Sequence, residues 1–180
     1  MSVSGISFQT GERCNRSSGT GIGWISLSFR YINSHNAVVL GKTVPMKTVK
    51  GCPETYDTDK LQEKLAKIKD ENILWPIYDR NIHDVVEDMT EVTKDIVLIE
   101  GNWLLLNEEP WKSLKETADY TILIQSEEEM LKERLISRKV KGGSSREDAQ
   151  AWYINTDSVN VKRVLTTSMP GDLMLKVEED

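Results

Sequence analysis

The sequence predicts an α/β fold with a mainly parallel sheet, and two kinds of observation support this prediction. Residues 96–99 and 120–124 form short, continuous apolar runs, which are typical of strands buried on both faces. Segments with helical spacing precede and follow these runs. Strands that alternate with helices form βα units, and such units build parallel sheets. A chain of 180 residues is long enough for one domain with a single core.

Residues 1–36 differ from the remainder of the chain. The stretch 11–21 is rich in Gly and Ser and has no helical period, and the alternation at 24–29 would suit an isolated strand. From residue 38 onward the local signals agree with one another. The sequence therefore divides into an atypical amino-terminal segment, 1–36, and an α/β region, 37–180.

The first helix of the α/β region is predicted after Asp57 or Thr58, either of which can cap its amino end. Three apolar residues then fall on one face of this helix: Leu61, Leu65 and Ile68. Between the two strands, Pro110 suits the first turn of a short helix. Two capping boxes predict the starts of later helices: Ser126 with Glu129, and Ser144 with Glu147. Asp157 is predicted to cap one more helix, and the run 173–177 predicts a closing strand.

Composition and charge exclude several classes of protein. There are 23 Lys and Arg residues against 29 Asp and Glu residues, and the net charge of −6 predicts neither a nucleic-acid nor a membrane partner. No apolar run approaches the ~20 residues of a membrane span, and the first residues do not resemble a signal peptide. Cys14 and Cys52 lack the spacing of a zinc site. We expect a cytoplasmic location, and the oligomeric state is left open.

Glu100 is a candidate site residue because it directly follows a buried apolar strand. An ionised carboxylate is costly to bury alone, so we expect it to face a polar crevice or a charged partner. Ligands bind beyond the carboxyl ends of parallel strands, which places Glu100 at the edge of a site. There it would hold a Mg²⁺-bound water or a substrate hydroxyl. The alternative is a structural salt bridge to a neighbouring loop.

The segment 75–84 is the densest polar cluster in the sequence. A stacking face, a carboxylate, a guanidinium and an imidazole lie close together in it, a set that suits a ligand with phosphate or carboxylate groups: Tyr78, Asp79, Arg80 and His83. The alternative is an exposed loop in which Asp79 and Arg80 neutralise each other.

Three cations are spaced to lie on one helical face that ends at two glycines: Arg134, Arg138 and Lys141. A mobile basic helix of this kind suits the clamping of a polyphosphate, because Arg forms bidentate hydrogen bonds with phosphate. The alternative is a solvated face that nearby glutamates neutralise.

The sequence contains no complete phosphate-binding loop. Residues 41–43 resemble the end of a P-loop, but Asn36 occupies the position where the first glycine is required. The glycines at 19, 21 and 23 do not form a dinucleotide-binding motif, because Trp24 replaces its third glycine.

Residues 38–177 nevertheless resemble the P-loop kinases of the uridine kinase, phosphoribulokinase and pantothenate kinase group, especially their bacterial nucleoside-kinase-like members. Five segments carry this resemblance together: 44–57, 76–84, 99–106, 133–138 and 157–173. The resemblance implies a three-layer, P-loop NTPase-like fold in which helices flank a parallel sheet. It also implies transfer of the ATP γ-phosphoryl group to a hydroxyl of a small metabolite, with ATP and Mg²⁺ as cofactors.

The resemblance implies roles for the candidate residues. Glu100 would be the catalytic residue that arranges Mg²⁺, through a bound water, or the acceptor hydroxyl. One group would bind the acceptor substrate: Tyr78, Asp79, Arg80 and His83. Another would form a lid over the phosphates: Arg134, Arg138 and Lys141. A nucleoside, a pantothenate-like acid and a sugar all remain open as acceptors.

The family's Walker A motif, Gly-x-x-x-x-Gly-Lys-[Ser/Thr], and its Asp-Gly-Phe-His segment are missing from this sequence. The amino-terminal part is therefore predicted to be truncated or altered, and the phosphotransferase activity to be impaired. The alternative is a non-catalytic module that binds a small molecule without a nucleotide. A shifted reading frame across residues 11–30 is one hypothesis for the difference, because suitable codons for 23–28 also encode Asp-Gly-Phe-His-Tyr one nucleotide later.

Overall fold

The chain adopts an α/β fold in the computed structural model, which describes residues 51–79, 81–82, 84–93 and 96–178 and the backbone of four earlier strands. The earlier strands are β1 (Ser4–Thr10), β2 (Ile22–Ser26), β3 (Asn36–Val39) and β4 (Lys42–Pro45). The later strands are β5 (Ile73–Asp79), β6 (Asp84–Val92), β7 (Ile96–Gly101), β8 (Tyr120–Ser126) and β9 (Leu173–Val177). The helices are α1 (Thr58–Ile68), α2 (Trp111–Leu114), α3 (Glu128–Lys141), α4 (Arg146–Trp152) and α5 (Ser158–Thr167).

A five-stranded sheet in the order β2-β7-β1-β8-β9 forms the centre of the described fold. β2 runs parallel to β7, and β9 runs parallel to β8. β1 lies between β7 and β8 and is antiparallel to both, so β7 and β8 point in the same direction. The predicted parallel arrangement is confirmed for these four strands. The antiparallel strand at the centre is not foreseen by the sequence pattern.

The main hydrophobic core is built on one face of this sheet. Val97, Ile99 and Leu123 share that face and are at most 2% exposed. The apolar residues that the sequence predicts for the first helix are buried in the same cluster: Leu61, Leu65 and Ile68. Each side chain of this size stabilises the fold by roughly 1.5–3 kcal/mol when it is fully buried. The helical spacing therefore predicts the core face of α1 correctly.

The segment 75–84 belongs to a β-hairpin rather than to an open loop. β5 pairs with β6 in an antiparallel ladder that has a bulge in the middle of β5. Two ion pairs connect this hairpin to α1: Lys60 with Glu87 at 2.7 Å, and Lys64 with Asp88 at 3.1 Å. Tyr78, Asp79 and Asp84 are thus presented by two paired strands.

The predicted helix starts are correct for α1 and differ in detail elsewhere. Asp57 caps α1 by accepting a backbone hydrogen bond at 3.0 Å. Ser145, and not Ser144, caps α4 by accepting a backbone N–H at 3.0 Å. Ser126 does not cap α3, because its hydroxyl bonds with the sulfur of Met130. The displaced caps move the helix starts by a residue or two and leave the order of elements unchanged.

A second, smaller cluster holds α3 and α4 together through Ile136, Ala149 and Tyr153. α4 continues through a π-helical turn, Tyr153–Asp157, directly into α5. Asp157 therefore does not cap a new helix as predicted, because its own backbone is already helical. None of the helices in the described part of the chain combines the length and the apolar character that a membrane crossing requires.

Candidate active-site crevice

The carboxyl ends of β2, β7, β8 and β9 all lie on the same side of the sheet. We call the space beyond these strand ends the crevice. The last residues of these strands are Ser26, Gly101, Ser126 and Val177. Glu100 is the penultimate residue of β7, is half-buried, and lies in register with the last residue of β2. The structure thus places Glu100 at the edge where open α/β sheets bind ligands.

β1 approaches the crevice with its amino end. Gly5 of β1 lies opposite Gly101 of β7, and Thr10 lies opposite Ile96 at the far edge of the sheet. The chain therefore leaves β1 at the edge remote from Glu100. The carboxyl end of β1 therefore points away from the crevice.

Two loops lie against each other beside the crevice, and we call 51–56 and 102–110 the crevice loops. The second of them follows β7 directly. Trp103 is 1% exposed, and its indole Nε1 donates to the carbonyl oxygen of Gly51 at 2.8 Å. Gly51 has a φ of +100°, in the left-handed region that glycine tolerates best. The two loops are therefore connected by a buried hydrogen bond.

Arg163 of α5 forms ion pairs with one glutamate from each crevice loop. Its Nε and one Nη donate to the two carboxylate oxygens of Glu108 at 3.0 and 2.5 Å. The other Nη donates to Glu54 Oε1 at 2.7 Å, while Glu54 Oε2 is buried without a hydrogen-bond partner among the described residues. The hydrogen bond from Arg163 lowers the pKa of Glu108, and the two carboxylates raise the pKa of Arg163. Both shifts favour the charged forms of Glu108 and Arg163.

Cys52 lies next to this ion-pair network, with its thiol half-buried. Burial raises the pKa of the thiol, and the charge of Glu54 raises it further. A hydrogen bond with Asn160 and the charge of Arg163 act in the opposite direction but are weaker. The thiol is therefore protonated at neutral pH, which does not suit a nucleophile.

An open cleft of about 260 Å³ adjoins the network. Arg163, Glu54 and Glu108 lie on one part of its lining, and Tyr56 and Trp111 form an edge-to-face aromatic pair at another, with ring centroids 5.4 Å apart. Its volume is close to the lower end, about 300 Å³, of typical small-molecule pockets.

The predicted lid residues lie on α3, and we call α3 and α4 the lid. Arg134 is half-buried, whereas Arg138 and Lys141 are exposed. Burial raises the pKa of Asp157 in the π-turn, and a hydrogen bond from Trp152 and the charges of Arg138 and Lys139 lower it. The cations at the end of α3 thus lie close to the π-turn.

Two of the predicted acceptor-binding residues, Tyr78 and Asp79, lie at the end of β5 in the β5–β6 hairpin. Tyr78 is half-buried and lies in register with Val85 of β6. The carboxylate of Asp79 accepts the backbone N–H of Asn81 at 2.7 Å, so it shapes the turn. The remaining two predicted residues, Arg80 and His83, lie outside the described residues. The predicted site residues are thus distributed over β7, α3 and the hairpin.

The described residues contain no group of three or more His, Cys, Asp and Glu side chains that could hold a metal ion. Glu100 supplies one carboxylate, and Mg²⁺ held by one or two carboxylates also needs water and substrate phosphates as ligands. β1 turns its amino end to the crevice, where a triphosphate needs a strand that leads into a glycine-rich loop. The described residues therefore do not fit the triphosphate of ATP or an independent Mg²⁺ site.

Sequence reasoning missed the network of Glu54, Glu108 and Arg163. Arg163 is 109 residues from Glu54 along the chain, and no spacing rule connects charges at that distance. One signal pointed to them, because Glu54 and Arg163 both lie in segments that carry the family resemblance.

Comparison with known proteins gives one uncharacterized relative and several relatives that are kinases by name. The uncharacterized protein YggC of Escherichia coli (strain K12) is 44% identical over 135 residues, which are 75% of this chain and 57% of YggC. Pantothenate kinase of Haemophilus influenzae is 30% identical over 127 residues, 66% of this chain and 41% of the kinase. A provisionally named uridine kinase of Schizosaccharomyces pombe is 28% identical over 137 residues, 72% of this chain and 58% of that protein. No family model matches the chain.

Among solved structures, a provisionally named fructose transport system kinase from Silicibacter sp. TM1040 shares the fold. The TM-score is 0.76 at 23% identity, and the match covers 86% of this chain and 75% of that one. The chain is a homologue of P-loop kinases related to pantothenate kinase and uridine kinase. The resemblance that the sequence indicates and the α/β fold expected for such kinases are both confirmed. The chain spans about half the length of the curated relatives it matches.

Proposed function

We propose that this P-loop kinase homologue binds a hydroxyl-bearing small metabolite at the crevice and that its ATP-dependent phosphoryl transfer is strongly impaired. The direction of β1 beside Glu100 carries the proposal. Glu100 is at the position where a ligand of the sheet would lie, but the central strand turns its amino end to that position. The sequence also lacks the Gly-x-x-x-x-Gly-Lys-[Ser/Thr] motif that holds the phosphates in this family.

The proposed acceptor site consists of Glu100 and the end of the hairpin. Glu100 would accept a hydrogen bond from the acceptor hydroxyl, because a carboxylate is a strong acceptor at a half-buried position. Four hairpin residues would bind the remainder of the acceptor: Tyr78, Asp79, Arg80 and His83. The basic face of the lid would attract an anionic group, through Arg134, Arg138 and Lys141.

A non-catalytic binding module is the second candidate function, favoured by the poor fit of the described residues to a triphosphate. It differs from the first in predicting no phosphoryl transfer at all. Both candidates are compatible with a cytoplasmic location, which we propose because the metabolites named for the relatives are small and polar. The acidic net charge supports neither a nucleic-acid nor a membrane partner.

Isothermal titration with three probes tests this proposal: pantothenate, uridine and fructose. We expect one of them to bind, and Arg80→Ala to weaken that binding by roughly tenfold, which corresponds to about 1.4 kcal/mol. The control is Lys112→Ala, because Lys112 is exposed on α2 away from the proposed site. Failure of all three probes to bind, or equal binding by Arg80→Ala, would contradict the acceptor site.

The same samples with Mg²⁺ and ATP distinguish the two candidates. If the wild type releases ADP faster than Glu100→Gln does, the result supports an impaired kinase. If the two proteins release ADP at the same rate, the result supports a binding module. Turnover in the range of active kinases, roughly 1–100 s⁻¹, would contradict both.

A further inference from the structure

Arg163 is the point at which both crevice loops are attached to one helix. The planar guanidinium directs its donors in fixed directions, so it can bond both oxygens of Glu108 and one oxygen of Glu54 at the same time. A lysine presents a single ammonium group and cannot reproduce this arrangement. The side chains of all three residues are mostly buried, at 26–36% exposure, which strengthens their electrostatic interaction relative to a fully exposed pair.

Other contacts attach the same helix to the same two loops. The side chain of Asn160 forms a hydrogen bond with Cys52 in the loop 51–56. The backbone N–H of Asn107, in the loop 102–110, donates to the carbonyl of Thr167 at 2.9 Å. These contacts lie on either side of Arg163 along α5. The helix is therefore fixed to the loops over most of its length, with Arg163 in the middle.

The attached helix extends without interruption into the lid. α4, the π-turn and α5 form one helical segment from Arg146 to Thr167. Its first part contributes Ala149 and Tyr153 to the small lid cluster, and its second part contributes Val164 to the main core. The position of α5 therefore determines where the lid starts relative to the crevice loops.

We propose that Arg163 is a positioning residue that holds the two crevice loops in place against the helix that carries the lid. Arg163 acts through Glu54 and Glu108 and does not itself touch the acceptor. The expected effect of Arg163 on acceptor binding rests on the proposed function, since it requires that the acceptor lies beside these loops. The expected effect of Arg163 on the loops is independent of the proposed function, because the hydrogen bond between Trp103 and Gly51 reports the position of the loops directly.

Fluorine NMR of protein labelled with 5-fluorotryptophan tests the positioning role. The chain has five tryptophans, and each resonance can be assigned by replacing one Trp with Phe. In Arg163→Met we expect the Trp103 resonance to shift or broaden. In Arg163→Lys we expect the Trp103 resonance to change in the same direction. Trp75, which is a buried residue of the hairpin strand β5, should keep its resonance. Lys162→Met, at an exposed neighbouring position on α5, should leave both resonances unchanged.

A control for general destabilisation is Val92→Ala, in which the lost methyl groups come from the part of the main core that β6 contributes. Val92→Ala should alter Trp75, whose strand pairs with that of Val92, and leave Trp103 unchanged. An effect of Arg163 through stability alone would instead give the same response in Val92→Ala and in Arg163→Met. If Arg163→Met does not fold, Glu108→Gln and Glu54→Gln remove a charged partner at constant shape and are expected to shift Trp103 as well.

Titration of the same variants with pantothenate, uridine and fructose measures the effect on binding. For the probe that the wild type binds, we expect Arg163→Met to weaken affinity by roughly tenfold and Val92→Ala to leave it within about twofold. An unchanged Trp103 resonance in Arg163→Met and in both glutamine variants would overturn the positioning role. If the wild type binds no probe, the proposed function fails, while the Trp103 shift alone still supports or overturns this inference.

Discussion

We call the five-stranded sheet and α1 the body of this protein. The body and the lid, α3 and α4, are built on hydrophobic cores of very different size. In the body, the sheet and α1 bury large aliphatic side chains such as Ile99 and Leu61, both at 0% exposure. In the lid, α3 and α4 meet through a cluster of three buried residues in the described part of the chain. Regions with few buried apolar contacts open at a lower free-energy cost than the global unfolding of the protein. The comparison therefore predicts a stable body and a lid that opens on its own.

The largest effect is expected for a core residue of the body. Ile99→Ala removes a fully buried side chain between the sheet and the helices, so the free energy of unfolding should fall by about 2–5 kcal/mol. Ile154→Ala is the matched control, because the same side chain in the π-turn is 67% exposed, and its effect should stay within about 0.5 kcal/mol. Urea denaturation measures both. Equal losses in the two variants would contradict the assignment of the main core.

A smaller and local effect is expected for Ile136→Ala, which removes most of the larger of the two buried aliphatic side chains in the lid cluster. Backbone amides of α4 should exchange with deuterium roughly 30-fold faster, corresponding to about 2 kcal/mol, while those of β7 keep their protection. Hydrogen-exchange mass spectrometry makes this comparison within one sample. If β7 and α4 lose protection together, the lid and the body form one cooperative unit, and the comparison is wrong.

The ion-pair network of Arg163 with Glu54 and Glu108 predicts a dependence of stability on pH. The hydrogen bond from Arg163 places the pKa of Glu108 in the folded protein below its unfolded value of about 4.3. The ionised carboxylate therefore stabilises the fold above that pH, and this contribution is lost as the pH falls through the lowered pKa. Urea midpoints measured between about pH 6 and about pH 3 should fall less in Glu108→Gln than in the wild type. If the urea midpoints of the two proteins fall by the same amount with pH, the ionised Glu108 carboxylate does not contribute to stability in this way.

The smallest effect concerns a contact within the lid itself. Lys139 Nζ lies 4.0 Å from the centre of the Trp152 ring, and Trp152 is 41% exposed. A cation–π contact at such a position contributes about 0.5–1 kcal/mol. Lys139→Met should therefore accelerate exchange in α4 by a few-fold and leave the global unfolding midpoint nearly unchanged. A decrease of the global midpoint as large as that of Ile99→Ala would show that the lid is not independent.

Much of the body could be predicted from the sequence because its signals are local. The spacing of Leu61, Leu65 and Ile68, the apolar run at 96–99 and the turn at Pro110 each lie within a few residues. The sequence also indicated that Glu100 ends its strand at the ligand-binding edge. These features depend on helix and strand periodicity, which tertiary contacts have not altered here.

The remaining features depend on contacts between distant residues. No local pattern indicates that β1 enters the centre of the sheet in the antiparallel direction, or that Arg163 meets Glu54. The hairpin is difficult to predict from the sequence for a different reason. Pro76 and the bulge in β5 interrupt the alternation of side chains that is typical of a strand. The roles of Tyr78, Asp79, Arg80, His83 and the lid cations stay predictions.

The most direct test of the account is a calorimetric titration of this chain with Mg²⁺ and ATP. The central claim is that β1 presents its amino end beside Glu100, so that its carboxyl end points away from the crevice. The account predicts no saturable binding at nucleotide concentrations up to about 1 mM, where the binding free energy would be about −4 kcal/mol. Saturable binding with a dissociation constant in the micromolar range would contradict it.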